Sequence, residues 1–432
     1  MRRAASIAMA DTLEDPNVRA NLRWGYLNRT FAEIGKALAD PTIVLSLFVR
    51  QLGASNVLVG LLSTIRYGGW FLPQIFVAAH VQNRSRRGAV YIAAELSRCV
   101  GYAIIALLIF TIPGSPWLLP TFFVLFGISY LGHGMGSVPR FDVIGRAVPA
   151  TRRGSYFARA NLLAGVCGFG AGFLIRAVLR TNAPSPHVQP FAWLLLLSIL
   201  FFGLAVGAFT LIREREPRVA AQRTPVRQSL GAIPSLLRGN VDYRRLVMAL
   251  VFSDASRRVT DPFYIIFATE VLGAPLYVAG IYISTLLVSK IAANLLWDLL
   301  SRRFGNRLVL QISTAASFAV PAVALAFALM RLASVPWTAY GFAGVYVLMG
   351  IRDSGKYVGK RAVFLDLIPE EGRPMHWGTL NTLLGVVSVL PVLAGTLIDS
   401  LGYVITFSAV SAVSLVAVWS SLRIRKIPSS PT

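Results

Sequence analysis

The sequence predicts an all-α integral membrane protein with twelve transmembrane helices, arranged as two six-helix pseudo-repeats. The prediction rests on composition, on the length of the apolar stretches and on motifs that recur between the two halves. Of the 432 residues, 55% are apolar and 14% are charged, whereas soluble domains are about 45–50% apolar and about 25% charged. A chain with so few charged side chains cannot cover a large surface that faces water.

The apolar stretches have the length of membrane-spanning helices. A helix needs about 20 residues to cross the hydrocarbon core of a bilayer. Stretches of this length lie near 28–50, 56–79, 88–112, 116–138, 155–179, 190–212, 243–269, 276–298, 306–330, 336–358, 376–398 and 402–422. The predicted domains are therefore an N-terminal six-helix bundle (1–212), a basic cytoplasmic linker (213–240) with room for a short surface helix, and a C-terminal six-helix bundle (241–432).

The distribution of Lys and Arg predicts the orientation of these helices. Basic residues cluster in alternate loops, namely Arg84, Arg86, Arg87, Arg140, Arg146, Arg152, Arg153, Arg302, Arg303, Arg307, Lys360, Arg361 and Arg373. The loops between them, at 51–55, 111–117, 270–275 and 399–402, contain neither Lys nor Arg. Cytoplasmic loops carry the excess of basic residues. We therefore expect a multi-pass protein of the cell (inner) membrane with both termini in the cytoplasm.

The remaining composition argues against other classes. A net charge of +23 would fit nucleic-acid binding only if the basic residues formed a patch, and here they alternate with apolar spans. The four His and two Cys residues have no metal-ligand spacing. We find no nucleotide-binding or catalytic motif and expect neither a cofactor, a metal nor enzymatic activity.

The two halves repeat at an offset near 220 residues. Leu52-Gly53-Ala54 followed by Gly60 recurs as Leu272-Gly273-Ala274 followed by Gly280. Pro149, Arg153, Asn161 and Gly165 recur with identical spacing as Pro369, Arg373, Asn381 and Gly385. Parallel repeats of six helices are typical of one large transporter architecture.

With these features the chain resembles the major facilitator superfamily over nearly its whole length. The segment from Trp297 to Arg307, WDLLSRRFGNR, is similar to the superfamily loop G-x-L-x-D-R-x-G-R-R. Asp298 stands where that pattern has Gly, and Arg302 where it has Asp. The resemblance implies a secondary active transporter in which the first, fourth, seventh and tenth helices surround a central cavity.

Two charged motifs mark the first helix of each half. They are Glu33-x-x-Lys36-x-x-x-Asp40-Pro41 and Asp254-x-x-Arg257-x-x-x-Asp261-Pro262. The spacing places the three charges of each motif on one face of a helix, and the proline predicts a kink. An ionisable residue at membrane depth normally faces a partner or a wet cavity. These faces are predicted to bind substrate or carry protons; the alternative is an ion-pair network that only links helices.

Further ionisable residues lie in other apolar stretches. Arg66, Lys290, Arg352 and Asp353 complete the predicted substrate- and proton-binding set. Lys356 and Lys360 are interpreted as side chains that extend to the lipid headgroups. Glu95 and Arg98 are expected to pair with each other, and His133 is a minor candidate for a proton carrier.

The sequence thus favours alternating-access transport of a small solute, polar or anionic, coupled to an ion, for which we expect H+. The predicted partners are this solute, the coupling ion and the lipid bilayer, with no nucleic acid, and the chain is expected to be a monomer. Two alternatives remain: a drug or metabolite exporter of the same superfamily, and a membrane receptor or scaffold that keeps the fold without transport.

Overall fold

The computed structural model describes residues 16–80, 87–149, 152–180, 188–213, 231, 233–330, 337–369 and 373–425. These ranges consist of helices and short connections and contain no strand, which confirms the all-α prediction. The predicted basic loop residues Arg84 and Arg86, and most of the predicted linker, lie outside the described residues.

Helices follow one another along both halves of the chain. The first half contains α1 (Pro16–Leu38), α2 (Val44–Gln51), α3 (Asn56–His80), α4 (Arg87–Thr111), α5 (Leu118–Ala147), α6 (Arg153–Leu179) and α7 (Gln189–Thr210). The second half contains α8 (Ile233–Gly239), α9 (Val241–Glu270), α10 (Val278–Phe304), α11 (Asn306–Leu329), α12 (Thr338–Gly341), α13 (Ala343–Leu367), α14 (Arg373–Val386), a 3₁₀ turn (Val387–Val389) and α15 (Leu390–Leu422).

Seven of the described helical segments are long and apolar enough to cross a membrane. One of them, Met375–Leu422, joins two predicted spans into a single continuous segment. The chain bends within it at Gly402, whose φ of +81° favours glycine. The charged helices α9 and α13 are not among the seven. The count of twelve spans therefore stays a prediction.

The two Asp-Pro motifs have different effects on their helices. The first predicted helix does not merely kink: α1 ends at Leu38, and α2 begins at Val44 beyond a turn. Proline disfavours the helical conformation of the residue before it, and the Ala37 carbonyl accepts a bond from the Asp40 amide across 3.3 Å. In contrast, α9 continues through Pro262. The prediction of a kink is therefore wrong for Pro41, where the helix breaks.

The chain divides into two compact units. The first comprises Met1–Asp40, Gly69–Val178 and His187–Arg223, and the second comprises Pro41–Gly68, Leu179–Pro186 and Thr224–Thr432. Helix α2 and the beginning of α3 thus belong with the second half of the chain. The predicted boundaries at 212 and 241 stay a prediction.

Buried polar bonds join the helices of the first unit. The Ser198 hydroxyl of α7 donates to the Gly35 carbonyl of α1 across 2.8 Å. The Asn28 side chain donates to the Ala205 carbonyl at 2.8 Å and accepts from Arg140 Nη2 at 2.9 Å. Each bond satisfies a group that would be costly to leave without a partner in an apolar interior. These bonds fix the position of α1 beside α7 and α5.

In the second unit, α9 packs against α15, and α13 packs against α10 and α11. Helix α2 also contacts α9. Arg50, near the end of α2, forms a bidentate ion pair with Glu270, the last residue of α9; Nη2 lies 2.9 Å from Oε2. These two residues are separated by 220 positions, the offset of the sequence repeat.

Large apolar side chains are exposed along many helices. Leu107, Val166, Leu295, Leu299 and Val386 are between 55% and 71% exposed. Soluble monomers rarely expose large continuous apolar areas, whereas a lipid-facing surface is apolar. The exposed side chains and the seven apolar segments agree with a multi-pass membrane protein.

Glycine is required where α13 contacts α11. A Cβ atom at Gly359 would lie 2.9 Å from the backbone nitrogen of Leu310. We expect Gly359→Ala to destabilise the protein by about 1–3 kcal/mol, as overpacking does, and to lower the melting temperature in detergent. Gly344→Ala in the same helix is the matched control, because nothing lies within 4 Å of its Cβ position. Equal melting temperatures for the two variants would contradict this packing.

Candidate functional site

A group of charged side chains surrounds Asp254 in the second unit. Arg257 and Arg258, one helical turn further along α9, approach its carboxylate with Nη2–Oδ distances of 3.0 Å and 2.7 Å. Lys356 from α13 donates to Oδ1 of the same carboxylate. We call these four residues the Asp254 cluster. Its carboxylate is 4% exposed and contacts three cationic groups.

A second network lies further along α9. The guanidinium of Arg352 donates two parallel bonds to Asp261, Nη1–Oδ1 at 2.9 Å and Nη2–Oδ2 at 2.7 Å. Arg352 Nε also donates to Asp353 Oδ1 at 3.0 Å, and Lys290 Nζ lies 3.5 Å from Asp353 Oδ2. We call these four residues the Asp261 network. Two carboxylates here meet two cations.

Tyr67 of α3 lies against the Asp254 cluster. Its hydroxyl accepts from Arg257 Nη1 at 3.2 Å, and its ring centroid lies 4.3 Å from the Arg258 guanidinium carbon. This arrangement combines a hydrogen bond with a cation–π contact. The predicted site residue Arg66 is partly buried, with its guanidinium carbon 5.4 Å from the same ring.

Helix geometry explains why these side chains meet. Residues three and four positions apart share a face of a helix, so Arg257 and Arg258 both reach Asp254. On α13, Arg352 and Lys356 are four apart and face α9 together. Glycines at 350 and 355 permit close packing, since a Cβ at Gly355 would lie 3.0 Å from the Trp297 ring.

The first unit contains a separate buried group. Glu95 pairs with Arg98 as expected, and its other oxygen lies 3.0 Å from His133 Nδ1. The Arg98 guanidinium also lies over the Phe202 ring, with its central carbon 3.5 Å from the ring centroid. The sequence did not predict that His133 joins this pair.

The first charged motif is arranged differently from the second. Glu33 pairs with Arg29 of its own helix, Oε2–Nη2 3.4 Å. Lys36 is partly buried among the charges of Glu33, Arg98 and other basic groups. Asp40 is partly buried in the break between α1 and α2. Within the described ranges, no group of three or more His, Cys, Asp or Glu is arranged to hold a metal ion.

The second half of the chain matches a known protein family. A sequence model of the Major Facilitator Superfamily matches residues 246–432, which include the whole Asp254 cluster and the Asp261 network. This part of the chain, the second half, is thus similar in sequence to that superfamily. No subfamily is assigned, and no curated protein sequence matches the chain.

Solved structures of transporters share the fold seen here. A mutant of the nucleoside transporter NupG aligns with a TM-score of 0.72 at 12% identity, over 94% of this chain and 100% of that one. A POT family transporter in complex with 5-aminolevulinic acid aligns with a TM-score of 0.71 at 12% identity, over 94% and 96%. A D-xylose-proton symporter aligns at 0.66 and 16%, over 95% and 98%. At these identities the likeness establishes the fold.

The loop that resembles the superfamily pattern follows α10 in the structure. Asp298 and Arg302 form an exposed ion pair, Oδ2–Nη2 2.5 Å, within the last turns of that helix. Gly305 ends the helix with a φ of +86°, a conformation that glycine adopts readily. The two departures from the superfamily pattern thus pair with each other.

Three residues near Asp254 were missed or misread from the sequence. Lys356 was interpreted as reaching the headgroups, but it donates to Asp254 and its side chain is 13% exposed; that interpretation is wrong. Arg258 was not proposed, although its spacing of four from Asp254 signals a pair. Tyr67 carried no sequence signal, because its contact depends on packing between distant helices. The functional roles of the predicted site residues stay predictions.

The effects of substituting Asp261 and Arg352 on stability should depend on each other. Breaking a buried ion pair on one side costs about 3–5 kcal/mol, because a charge remains without compensation. We therefore expect Asp261→Ala and Arg352→Ala each to lower the melting temperature strongly. The double variant should recover part of the loss.

The control for this prediction is the exposed pair in the same unit. Asp298→Ala should change stability little, since exposed ion pairs contribute about 0–1 kcal/mol. Additive losses in the double variant would show that Asp261 and Arg352 do not stabilise each other.

Proposed function

We propose that this protein is a secondary active transporter of the major facilitator superfamily, which moves a small solute by alternating access and couples it to protons. The observation that carries the proposal is the buried Asp261–Arg352 pair, in which one arginine contacts two carboxylates. Ionisable residues inside a membrane are costly and typically mark substrate or ion pathways. Because burying these charges is costly, we infer that the pair has a role in transport.

The geometry suggests how a proton would act. Protonation of Asp261 removes the negative charge that holds the Arg352 guanidinium in its bidentate arrangement. Arg352 keeps its second partner, Asp353, which Lys290 also approaches. The two carboxylates thus offer Arg352 alternative arrangements that differ by one proton. Such a pair can link proton uptake to a change in the position of α13 relative to α9.

The comparisons support transport as the activity. The aligned structures are named as transporters of different solutes, and one of them is named as a proton symporter. Their variety leaves the solute of this chain open. Glu33, Lys36, Asp40 and Arg66 remain in the proposed substrate- and proton-binding set together with the residues of the second unit.

The proposal includes the setting of the protein. We place it in the cell (inner) membrane with both termini in the cytoplasm, acting as a monomer without enzymatic activity. A drug or metabolite exporter of the same superfamily is the nearest alternative. A receptor or scaffold that keeps the fold needs no solute flux, so flux measurements separate it from a transporter.

The test is solute-dependent proton movement in proteoliposomes, over a panel of sugars, organic anions, amino acids and cationic dyes. Asp261→Asn keeps the size of the side chain but cannot exchange a proton at neutral pH. We expect it to abolish coupled proton movement, and Asp40→Asn to reduce it. Asp366→Asn is the matched control, because Asp366 is an exposed carboxylate in the same unit.

Monodisperse variants that remain folded at the assay temperature make the comparison valid. Coupled movement that survives Asp261→Asn would refute Asp261 as the proton site. His133→Gln then serves as the second arm, since His133 contacts Glu95 in the first unit. No flux of any solute by well-folded wild-type protein would favour the receptor or scaffold.

A further inference from the structure

The Asp254 cluster differs from the Asp261 network in charge balance. In the network, Asp261 and Asp353 face Arg352 and Lys290, so the charges cancel. In the cluster, one carboxylate, that of Asp254, contacts the three cations Arg257, Arg258 and Lys356. With these groups ionised, three positive charges face one negative charge, so the four residues carry a net charge of +2.

An excess of buried positive charge requires an energetic explanation. Removing a charge from water costs several kcal/mol per ion in real proteins, and a close partner offsets this only when geometry and charge both match. One carboxylate offers about four acceptor positions, so it can accept bonds from three cations. It supplies a single negative charge. An added anion would bring the balancing charge.

The three cations differ in their exposure and in their other hydrogen-bond partners. The Arg258 side chain is 2% exposed, whereas Arg257 is 21% and Lys356 is 13% exposed. Arg257 donates from Nε and Nη2 to Asp254, and from Nη1 to the Tyr67 hydroxyl, a neutral acceptor 3.2 Å away. A carboxylate or phosphate would bind a guanidinium more strongly than a phenol does, because its negative charge adds an ionic attraction to the hydrogen bond.

We propose that the Asp254 cluster binds the anionic group of the transported solute, a carboxylate or phosphate. Arg257 and Lys356 donate to the anion. The anion replaces the Tyr67 hydroxyl as the acceptor of the hydrogen bond from Arg257 Nη1. Arg258 and Asp254 position these donors. This inference rests on the proposed transport function and names its substrate class: small organic anions. Cationic solutes would meet the excess positive charge and are disfavoured.

Ligand-dependent thermal shift of the purified full chain in detergent tests this proposal without requiring transport. The probes are pairs of an anion and a related neutral compound: succinate with succinamide, gluconate with glucose, and glycerol 3-phosphate with glycerol. We expect at least one anion to raise the melting temperature while its neutral partner does not. The first two pairs report a carboxylate and the third a phosphate.

Two substitutions separate binding from structure. Lys356→Gln removes one of the excess positive charges, so the ligand-free protein should keep or gain stability while anion affinity falls roughly tenfold or more, the loss expected for one charge-assisted bond. Arg257→Lys should retain part of the binding, and Arg257→Gln should lose it. Arg245→Gln, which breaks an ion pair with Asp242 near the start of α9, is the control and should bind like wild type.

Several outcomes would overturn the proposal. A loss of stability in Lys356→Gln with unchanged anion affinity would make the cluster a purely structural network. Absence of any anion-dependent shift, or equal shifts from neutral partners, would remove anions as the substrate class. Proton-coupled flux of a neutral solute in proteoliposomes, together with either result, would leave the proposed function standing while this inference fails.

Discussion

The structure of the second unit depends on how buried charges on α9 are compensated. A charge at membrane depth is costly wherever water cannot reach it, so a buried carboxylate of α9 needs a cation beside it. Asp261 meets Arg352 and Asp254 meets Lys356, both from α13. These pairs hold the two helices in one register. The glycines of α13 support the same register, because they let its backbone approach α10 and α11.

The same constraint connects stability to transport. A buried ion pair contributes little net stability compared with apolar packing, but it becomes strongly unfavourable when one partner loses its charge. A proton that arrives at Asp261 therefore changes the energy of the α9–α13 contact far more than it would change a surface pair. The excess charge around Asp254 makes that part of the unit sensitive to an anion in an analogous way. Proton and anion would thus act on neighbouring turns of one helix.

The two halves of the sequence repeat use their Asp-Pro motifs differently. In the first half the motif ends α1 and begins a new helix at Val44, and the following residues group with the second unit. In the second half, α9 continues through Pro262 and keeps its charges on one face. The repeat therefore preserves the positions of charges while the local backbone differs. The ion pair between Arg50 and Glu270 joins two positions that the repeat relates to each other.

The sequence by itself determined the all-helical membrane class and most helix positions. It also determined that Asp254 and Arg257 share one face of a helix and that Glu95 pairs with Arg98. These follow from composition, from the length needed to cross a bilayer and from the three- to four-residue period of a helix. Only the tertiary structure decided that Arg352 meets Asp261 across 91 positions, that Lys356 meets Asp254 across 102, and that Tyr67 reaches Arg257 across 190. Periodicity identifies which residues share a face, but side-chain packing selects which faces meet. The tertiary structure also decided that the helix breaks at Pro41, because a proline alone is compatible with either a kinked or an interrupted helix.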